Sequence, residues 1–476
     1  MSASHNFEIE SETNKNPINE SKAPPKLGNE TLKRMTFPTS RRSASIGGVL
    51  FFWVASHAWA QSQEDASETW RRNSLTGAWG GLRSDWAARG INVEAIYIGE
   101  IFANVDGGKD RGRDYLDVFD VRLLLDMNKL AGWSGGSVLV SGVYNGGGSI
   151  SDYVGDTQGV SNIEAPSGFK VYEAWIQQNL RSNRWSVLAG LYDINSEFDV
   201  MQSAGLFLNS SHGIGADYAA SGFAGPPIYP FPALSVRLKT LFSSSFYAQA
   251  VIADGVPGDP NDDTDNAVII RDEEGALLAG EIGWYWLARA RSTAKTKGES
   301  SRARRRHIGR EVSADYELKL AFGAWRYTSD FEQLRSASAR SAEDNGMYVL
   351  MDWKAYREPH DDAQGLSAFL RLGSADNHAS RFSFYGGAGV AYTGLIAGRN
   401  EDEIGFAVAV ARTSDYTRAT SPTPLDNTET VFELTYRMQL KPWLALQPNV
   451  QYVKNPGADP TLADALVVGA RLEADL

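Results

Sequence analysis

The stretch FELTYRMQLKPWLALQPNVQYVK, residues 432–454, contains two runs in which apolar and polar side chains alternate. Phe432 and Leu434 begin the apolar series of the first run, and Val450 and Tyr452 end that of the second. Successive side chains of a β-strand point to opposite faces, so a period of two predicts a strand with one apolar and one polar face. The stretch therefore predicts two consecutive β-strands near the C-terminus.

The same alternation recurs upstream over about ten residues at a time, which is the length of a tilted membrane strand. Further runs begin near Phe119, Tyr172, Tyr316 and Met347. In their runs, Tyr172 and Tyr316 are predicted to lie on the apolar face. A soluble sandwich would bury such faces against a second sheet, whereas a membrane barrel would turn them to lipid. Alternation alone leaves both architectures open.

Aromatic residues and chain length favour the barrel. Tryptophan and tyrosine recur near the ends of predicted strands, where a lipid–water interface would place their amphipathic rings. The residues concerned are Tyr97, Tyr115, Trp185, Tyr285, Trp286, Trp443 and Tyr452. Roughly 415 mature residues at about 25 per strand, loops included, correspond to about 16 strands. We therefore expect an all-β fold, a transmembrane antiparallel β-barrel of about 16 strands, rather than a secreted soluble β protein.

Composition excludes several other classes. The chain has 476 residues, 42% of them hydrophobic, a net charge of −12 and no cysteine. There is enough apolar surface to exclude disorder of the whole chain. A nucleic-acid binder would need a basic face, and disulfide scaffolds, zinc ribbons and thiol catalysis need cysteine. The long uncharged stretches are interrupted by glycine clusters or prolines, so none of them predicts a membrane helix.

The first sixty residues resemble a targeting segment rather than a domain. Arg41 and Arg42 precede an apolar run at 46–55, and Ala58-Trp59-Ala60 supplies a small-x-small cleavage pattern. A basic region, a short hydrophobic core and such an ending predict a secretory signal peptide, cleaved after Ala60. Met35 is the expected start of translation, with residues 1–34 as an upstream extension.

Residues 61–90 are predicted to form an N-terminal segment, followed by the barrel at 91–476. The sequence LTGAWGGLRSDWAARG at 75–90 predicts a turn and one short helix that Gly90 ends, with Leu82 and Trp86 on one face. Such a helix would sit at the entrance or in the lumen as a plug. Two loops differ in charge: 257–265 is acidic, whereas 289–310 carries nine Lys or Arg and His307. The basic segment is interpreted as a solvated loop, with lipopolysaccharide phosphates as an alternative contact.

Several segments resemble those of the carbohydrate-selective porin family (OprB-type) of Gram-negative outer membranes. The stretch from Leu75 to Gly108 is similar to the start of the mature chain in that family, including Trp-Gly-Gly. VYEAWIQQNL (171–180), AGLYDINSEFD (189–199) and FLNSSHG (207–213) resemble its central strands, and 429–457 its last hairpins. No single segment is decisive, but the ordered set is specific.

The resemblance implies a barrel that lets sugars pass passively across the bacterial outer membrane without a cofactor. Its implied partners are carbohydrates as solutes, outer-membrane lipid and lipopolysaccharide, with assembly into a homo-oligomer left open and nucleic acid excluded. Two features depart from the family. Such barrels often end in an aromatic residue, whereas this chain ends in Leu476, and the basic segment 289–310 is unusually long.

A neutral sugar must be selected by hydrogen bonding and stacking, so polar positions facing the lumen are the candidate substrate-pathway residues. Alternation supplies nine of them: Glu94, Glu100, Asp120, Arg122, Glu173, Trp175, Gln177, Glu433 and Arg437. Charges of both signs could bond sugar hydroxyls, and the indole of Trp175 could lie against a pyranose ring. The alternative for each residue is a solvated or interstrand pair with no selective role.

Asp193, Asn195 and Glu197 are spaced at i, i+2 and i+4, which predicts one strand face with three oxygen-bearing side chains. A calcium loop would also need its glycine turn and a later bidentate glutamate, both missing here. We therefore expect a polar structural cluster in the lumen and no metal.

An enzyme is not predicted. The mature chain has four histidines, and none lies in a recognisable nucleophile motif. His212 follows Ser210 and Ser211, but neighbours on a strand would face opposite ways. Carboxylate pairs for glycoside hydrolysis stay open, because their spacing is spatial. The expected function is passive diffusion of mono- or small oligosaccharides; the alternatives are a general or differently selective porin and a secreted carbohydrate-binding protein or hydrolase.

Overall fold

The computed structural model describes residues 73–258, 274–287, 316–329 and 344–476. The predicted signal peptide at 1–60 and the basic segment 289–310 lie outside these residues. So does most of the acidic loop that follows Pro257. In the described part of the chain, no helix is long and apolar enough to cross a membrane.

The described residues form one closed antiparallel barrel of sixteen strands. Each strand pairs with its neighbours along the chain, and the last strand pairs with the first, for example Glu100 with Arg471. The strands are β1 (Ile91–Gly108), β2 (Gly112–Asp126), β3 (Gly136–Gly147), β4 (Gly168–Leu180), β5 (Trp185–Tyr192), β6 (Ala233–Ser243), β7 (Phe246–Asp254), β8 (Ala276–Leu287), β9 (Tyr316–Tyr327), β10 (Asn345–Glu358), β11 (Asp361–Ala375), β12 (Phe382–Thr393), β13 (Glu403–Thr413), β14 (Thr428–Lys441), β15 (Leu444–Lys454) and β16 (Ala463–Asp475). The predicted fold is confirmed.

The described residues also include short helices before the first strand and between later strands. They are α1 (Leu82–Ala88), α2 (Met127–Ala131), α3 (Ser151–Val154), α4 (Ala216–Ala219) and α5 (Asp415–Thr420). Single 3₁₀ turns occupy Trp79–Gly81, Ile194–Ser196, Ser203–Leu206, Ser210–His212 and Pro456–Ala458.

Side-chain exposure follows the alternation of the sequence. On β14, Leu434 is 51% exposed while its neighbour Glu433 is fully buried, and on β15 Val450 and Gln451 differ in the same way. Apolar side chains thus point away from the barrel and polar ones into it. Because the sheet closes on itself, no second sheet of the described residues covers the apolar face, and the soluble sandwich is excluded.

Two tyrosines depart from the predicted face. Tyr172 and Tyr316 are both buried, with their hydroxyl groups bonded to Asp193 and Asp352. The register of β4 against β3 shifts at Tyr172, and that of β9 against β8 shifts next to Tyr316. A β-bulge adds one residue to one strand and reverses the alternation there. The prediction that these two side chains lie on the apolar face is therefore wrong.

The two ends of the barrel differ. Both chain termini of the barrel, Ile91 and Asp475, lie at one end, which we call the terminal end; its turns include 181–184, 244–245 and 442–443. The opposite loop end carries the longer connections 148–167 and 193–232. In strand order, Leu287 and Tyr316, which flank the basic segment, also lie at the terminal end.

The short N-terminal helix is confirmed at α1. It packs against the start of β1 at the terminal end, and the chain turns at Gly90 with a φ of 92°. A side chain at Gly90 would approach the Asp126 carbonyl oxygen within 2.9 Å. Arg83 of α1 donates to the carbonyl oxygens of Val93 on β1 (3.3 Å) and of Leu476, directly after β16 (2.8 Å). It therefore attaches the helix to the two strands whose pairing closes the barrel.

Candidate solute-binding site in the barrel lumen

Two connections at the loop end, loop A (148–167) and loop B (193–232), bond to each other and to inward-facing side chains. The backbone N–H of Asn162 donates to the Leu208 carbonyl (2.8 Å), and that of Ser210 donates to the Gly159 carbonyl (2.9 Å). The Ser210 hydroxyl also donates to the Ser161 carbonyl (3.0 Å). The two loops therefore form one hydrogen-bonded layer inside the barrel.

Inward-facing carboxylates of the strands hold loop B. Glu433 of β14 accepts hydrogen bonds from the backbone N–H groups of Leu208 (2.7 Å) and Asn209 (3.0 Å). Asp352 of β10 does the same for Gln202 and Ser203. A buried loop must satisfy its backbone donors, and carboxylates on the wall do so with charge-assisted bonds.

The guanidinium of Arg371 on β11 forms a further anchor. It donates to Asp199 (Nη2–Oδ2, 2.9 Å) and to Asp217, both in loop B. The rings of Tyr348 and Tyr385 lie 5.3 and 5.1 Å from the guanidinium carbon. Burial raises the pKa of Asp217 to about 6, even though the Arg371 guanidinium acts to lower it.

Loop A is held by inward-facing carboxylates of β14 and β1. Glu429 of β14 accepts from the backbone N–H groups of Thr157 and Gln158, each at 3.0 Å. Glu100 of β1 accepts from the Ser161 hydroxyl (2.5 Å) and pairs with the guanidinium of Arg471. Both loops are thus attached to the wall by acidic side chains.

Between the loops and the wall lies a cavity of about 470 Å³. Its wall comes from one continuous arc of strands, β12 to β16 and β1 to β4, and loops A and B close the remaining sides. On β14 and β16, Arg437 and Glu473 form an ion pair (2.9 Å) at its edge. On β2, Asp120 bonds Arg122 through Oδ2 (2.8 Å).

Four of the predicted pathway residues line this cavity: Asp120, Asp193, Asn195 and Arg437. The other eight lie elsewhere on the inner wall or in loop B. Glu433, Glu100 and Arg122 are engaged in the contacts described above.

The remaining five predicted residues lie around the start of loop B or near the terminal end. Glu197 forms ion pairs with Arg237 (2.6 Å) and Lys239 (2.8 Å). Gln177 accepts from Arg237 (2.8 Å), and the Trp175 indole donates to Glu173 (3.2 Å). The indole of Trp175 packs against the hydrophobic core and does not line the cavity. Glu94 lies opposite Arg122 in the strand register.

The strand predicted through Asp193, Asn195 and Glu197 is not formed. β5 ends at Tyr192, and Asp193 caps a 3₁₀ turn at Ile194–Ser196, with Oδ1 accepting from the backbone N–H of Asn195 (2.7 Å). Aspartate side chains readily form such local bonds, which compete with strand pairing. The three side chains therefore serve different contacts. Within the described ranges, no group of three or more acidic or histidine side chains is arranged to hold a metal.

The segment FLNSSHG is not a strand either; it belongs to loop B, with His212 in a 3₁₀ turn. The His212 ring lies 5.2 Å from Phe207 and 5.7 Å from Phe369, and burial lowers its pKa to about 3. The hydroxyl of Ser211 donates to Asn209 (2.7 Å) instead. The expectation that His212 and its neighbouring serines lie on a strand was wrong. Among the described residues, neither ring nitrogen of His212 has a hydrogen-bond partner, so His212 and these serines form no Ser–His pair.

Sequence reasoning missed several lining residues. Arg471 and Glu473 occupy polar positions of the last alternating run and could have been included on that basis. Tyr172 and Tyr229, whose rings meet edge to face at 5.7 Å, had no such signal. Tyr172 reaches the lumen because of a β-bulge, and Tyr229 lies in loop B. Neither feature follows from a period of two.

A closed sixteen-stranded barrel with an apolar exterior and polar loops folded into its lumen defines the porin class of outer-membrane channels. Within that class, the chain belongs to the carbohydrate-selective porin (OprB) family, whose model matches residues 110–476. Members of this family are passive channels for sugars across the outer membrane, not enzymes.

Similar proteins span almost the whole chain. Porin B of Pseudomonas aeruginosa is 23% identical over 87% of this chain and 94% of its own. The putative porin QuiX of Acinetobacter baylyi is 20% identical, with 85% of this chain and 94% of its own covered. The high-pH structure of Pseudomonas putida OprB superposes with a TM-score of 0.70 at 20% identity, covering 85% of this chain and 99% of that one. That similarity supports the same barrel fold.

Proposed function

We propose that monosaccharides or small oligosaccharides cross the barrel through the cavity enclosed by loops A and B, down their concentration gradient. The observation that carries the proposal is the cavity itself, which both loops and the inward side chains Asp120 and Arg437 line. Its volume of about 470 Å³ lies within the range of about 300–1,000 Å³ that is typical of small-molecule sites.

We propose Asp120, Asp193, Asn195 and Arg437 as the side chains that meet the solute, joined by Arg471. Carboxylates, amides and guanidinium groups together offer both acceptors and donors to sugar hydroxyls. For the other predicted residues, notably Glu100 and Glu433, the observed bonds support a positioning role, since they hold the loops that shape the cavity.

We also propose how the chain is exported and how the barrel is oriented in the outer membrane. Residues 1–60 are proposed to act as the export signal, and 91–476 to form the barrel in the outer membrane. Bacterial barrels place their short turns toward the periplasm, so the terminal end would face that side. The described residues that flank the segment 289–310, Leu287 and Tyr316, are at this same end, which supports a solvated loop rather than a contact with lipopolysaccharide. Lipopolysaccharide is expected instead around the outer surface of the loop end.

The test is conductance of the purified full-length mature protein in planar lipid bilayers. Glucose is expected to reduce the ion current in a saturable way, because it occupies the cavity through which the ions pass. Arg437→Gln should raise the glucose concentration for half-maximal block about tenfold, the effect of losing one or two charge-assisted hydrogen bonds. Arg412→Gln, which changes an exposed arginine of β13, is the matched control and should leave it unchanged.

A general porin is the competing function. It predicts that glucose lowers the current only as much as a non-carbohydrate solute of similar size, without saturation and with no effect of Arg437→Gln. That result would overturn the proposed carbohydrate selectivity, but the protein would still be a diffusion channel. Association into a homo-oligomer is a separate question for size measurement in detergent, because one barrel already encloses the complete cavity.

A further inference from the structure

One part of the cavity wall is apolar, although it lies inside the barrel. Ile96 and Ile98 of β1, Val118 of β2 and Val143 of β3 point inward, line the cavity and are at most 6% exposed. We call these four residues the apolar patch. Inward positions of such barrels are usually polar, as they are on β15, where Gln447 lines the same cavity. The patch therefore departs from what diffusion of a fully hydroxylated sugar would require.

A single carboxylate lies within the patch. Asp120 pairs across the sheet with Ile96 on one side and Val143 on the other. Its Oδ2 accepts both bonds from the Arg122 guanidinium (3.0 and 2.8 Å), whereas its Oδ1 is buried and has no hydrogen-bond partner among the described residues. A buried acceptor without a donor costs free energy, which a ligand hydroxyl group donating to it would recover.

The patch ends abruptly at a charged neighbour. Ile98 pairs with Val118 on one side and with Glu473 of β16 on the other. Glu473 in turn holds the guanidinium of Arg437 (2.9 Å). Adjacent strands are about 4.8 Å apart, so the lining changes from apolar at Ile98 to charged at Glu473 over about 5 Å. One solute of hexose size can therefore touch both surfaces at once.

We infer that this cavity prefers hexoses carrying a small apolar substituent, such as methyl glycosides, over the unsubstituted sugar. The apolar patch receives the substituent, Asp120 Oδ1 accepts from a neighbouring hydroxyl group, and Arg437 with Glu473 binds the hydroxyl groups at the other end. The inference rests on the proposed function, because it assigns the substrate class of the same cavity. Removing one methyl group from water favours binding by about fourfold.

The experiment compares methyl β-D-glucoside with D-glucose as blockers of the current through the full mature protein. The glucoside keeps the hydroxyl groups at C2, C3, C4 and C6 and carries a methyl group on the oxygen at C1. We expect its half-maximal blocking concentration to be about fourfold lower than that of glucose. Val118→Thr, which replaces a methyl by a hydroxyl group of similar size, should abolish this difference. Val453→Thr is the matched control, since Val453 is an equally buried inward valine of β15 that does not line the cavity.

The outcomes separate the inference from the proposed function. If glucose blocks in a saturable way but the glucoside blocks no better, or if both valine substitutions act alike, the preference is refuted and the sugar channel remains. If neither sugar blocks, the proposed function fails and the inference fails with it. If the glucoside blocks at a lower concentration than glucose, and Val118→Thr removes this difference while Val453→Thr retains it, the apolar patch binds the methyl substituent.

Discussion

Buried ionisable side chains in loop B are placed where their charge is costly. His212 is the clearest case. Its ring is enclosed by Phe207 and Phe369, and neither ring nitrogen has a hydrogen-bond partner among the described residues. The nearest carboxylate oxygen, of Glu433, is 3.8 Å away and already accepts bonds from the backbone of the loop. Burial therefore keeps the imidazole neutral, with its pKa lowered to about 3.

This histidine should make the barrel sensitive to acid. Between pH 6.5 and 3 the unfolded chain takes up a proton at His212 while the folded chain does not, so the free energy of unfolding falls as the pH falls. His212→Phe removes this proton uptake and keeps an apolar ring. We expect the variant to gain stability relative to the parent as the pH is lowered from 7 to 4, measured as urea unfolding followed by migration on unheated gels.

The control for this prediction is His378→Phe, because the side chain of His378 is 82% exposed. It should follow the parent at every pH. Carboxyl groups that titrate over the same range are common to all three proteins and cancel in the comparison. A stability difference between His212→Phe and the parent that does not change with pH would contradict a neutral buried imidazole.

At the scale of elements, the strands form the wall while loops A and B determine the open space inside it. Loop B bonds to the adjacent strands β10 and β11, through Asp352 and Arg371, and to β14, through Glu433. In each contact, a charged side chain of a strand meets either a charged side chain or a backbone N–H group of loop B. The position of the loop, and with it the size of the cavity, therefore depends on a few buried anchors.

Arg371→Ala tests one anchor. It leaves the carboxyl groups of Asp199 and Asp217 buried without their guanidinium partner, which typically costs about 3–5 kcal/mol. We expect a lower free energy of unfolding and, because loop B loses its attachment to β11, a larger single-channel conductance. Urea titration and planar bilayers measure the two effects.

Arg111→Ala is the matched control. Its ion pair with Asp106 is exposed on both sides, and such pairs contribute about 0–1 kcal/mol. Conductance of the control should equal that of the parent. If Arg371→Ala were as stable as this control and conducted equally, the anchor would have no role in holding the loop.

For the whole molecule, the decisive property is which face meets lipid. The outward side chains of β14 form part of the apolar exterior, with Leu434 near the middle of the strand and Leu440 near the terminal end. Charge is costly at the middle of a bilayer and tolerated near its surface. The same substitution should therefore have unequal effects at these two positions.

We expect Leu434→Lys to make folding into lipid vesicles less favourable by about 2–4 kcal/mol, and Leu440→Lys by about 0–1 kcal/mol. Folding is followed by heat-modifiable gel migration over a urea series. Equal and small effects at both positions would mean that the outward face of β14 is not in contact with hydrocarbon.

Alternation predicted the faces of most strands but only part of the site. Glu433 and Arg437 were correctly placed on the inner wall because both occupy the polar positions of the alternating run on β14. The same parity misplaced Tyr172 and Tyr316, where bulges shift the register. It also could not separate Asp120, which lines the cavity, from Glu100, which is covered by loop A. Parity states which face a side chain is on, not what covers that face.

The sequence by itself determined the strands and which of their faces are apolar, because a period of two is a local property that each strand carries independently. Aromatic residues near the strand ends and the chain length then favoured a barrel over a sandwich. Only the tertiary structure decided where loops A and B lie and which inward side chains meet the cavity. Those loops have no periodic pattern, and their positions depend on contacts between residues far apart in the chain, such as Leu208 with Glu433 and Asp199 with Arg371.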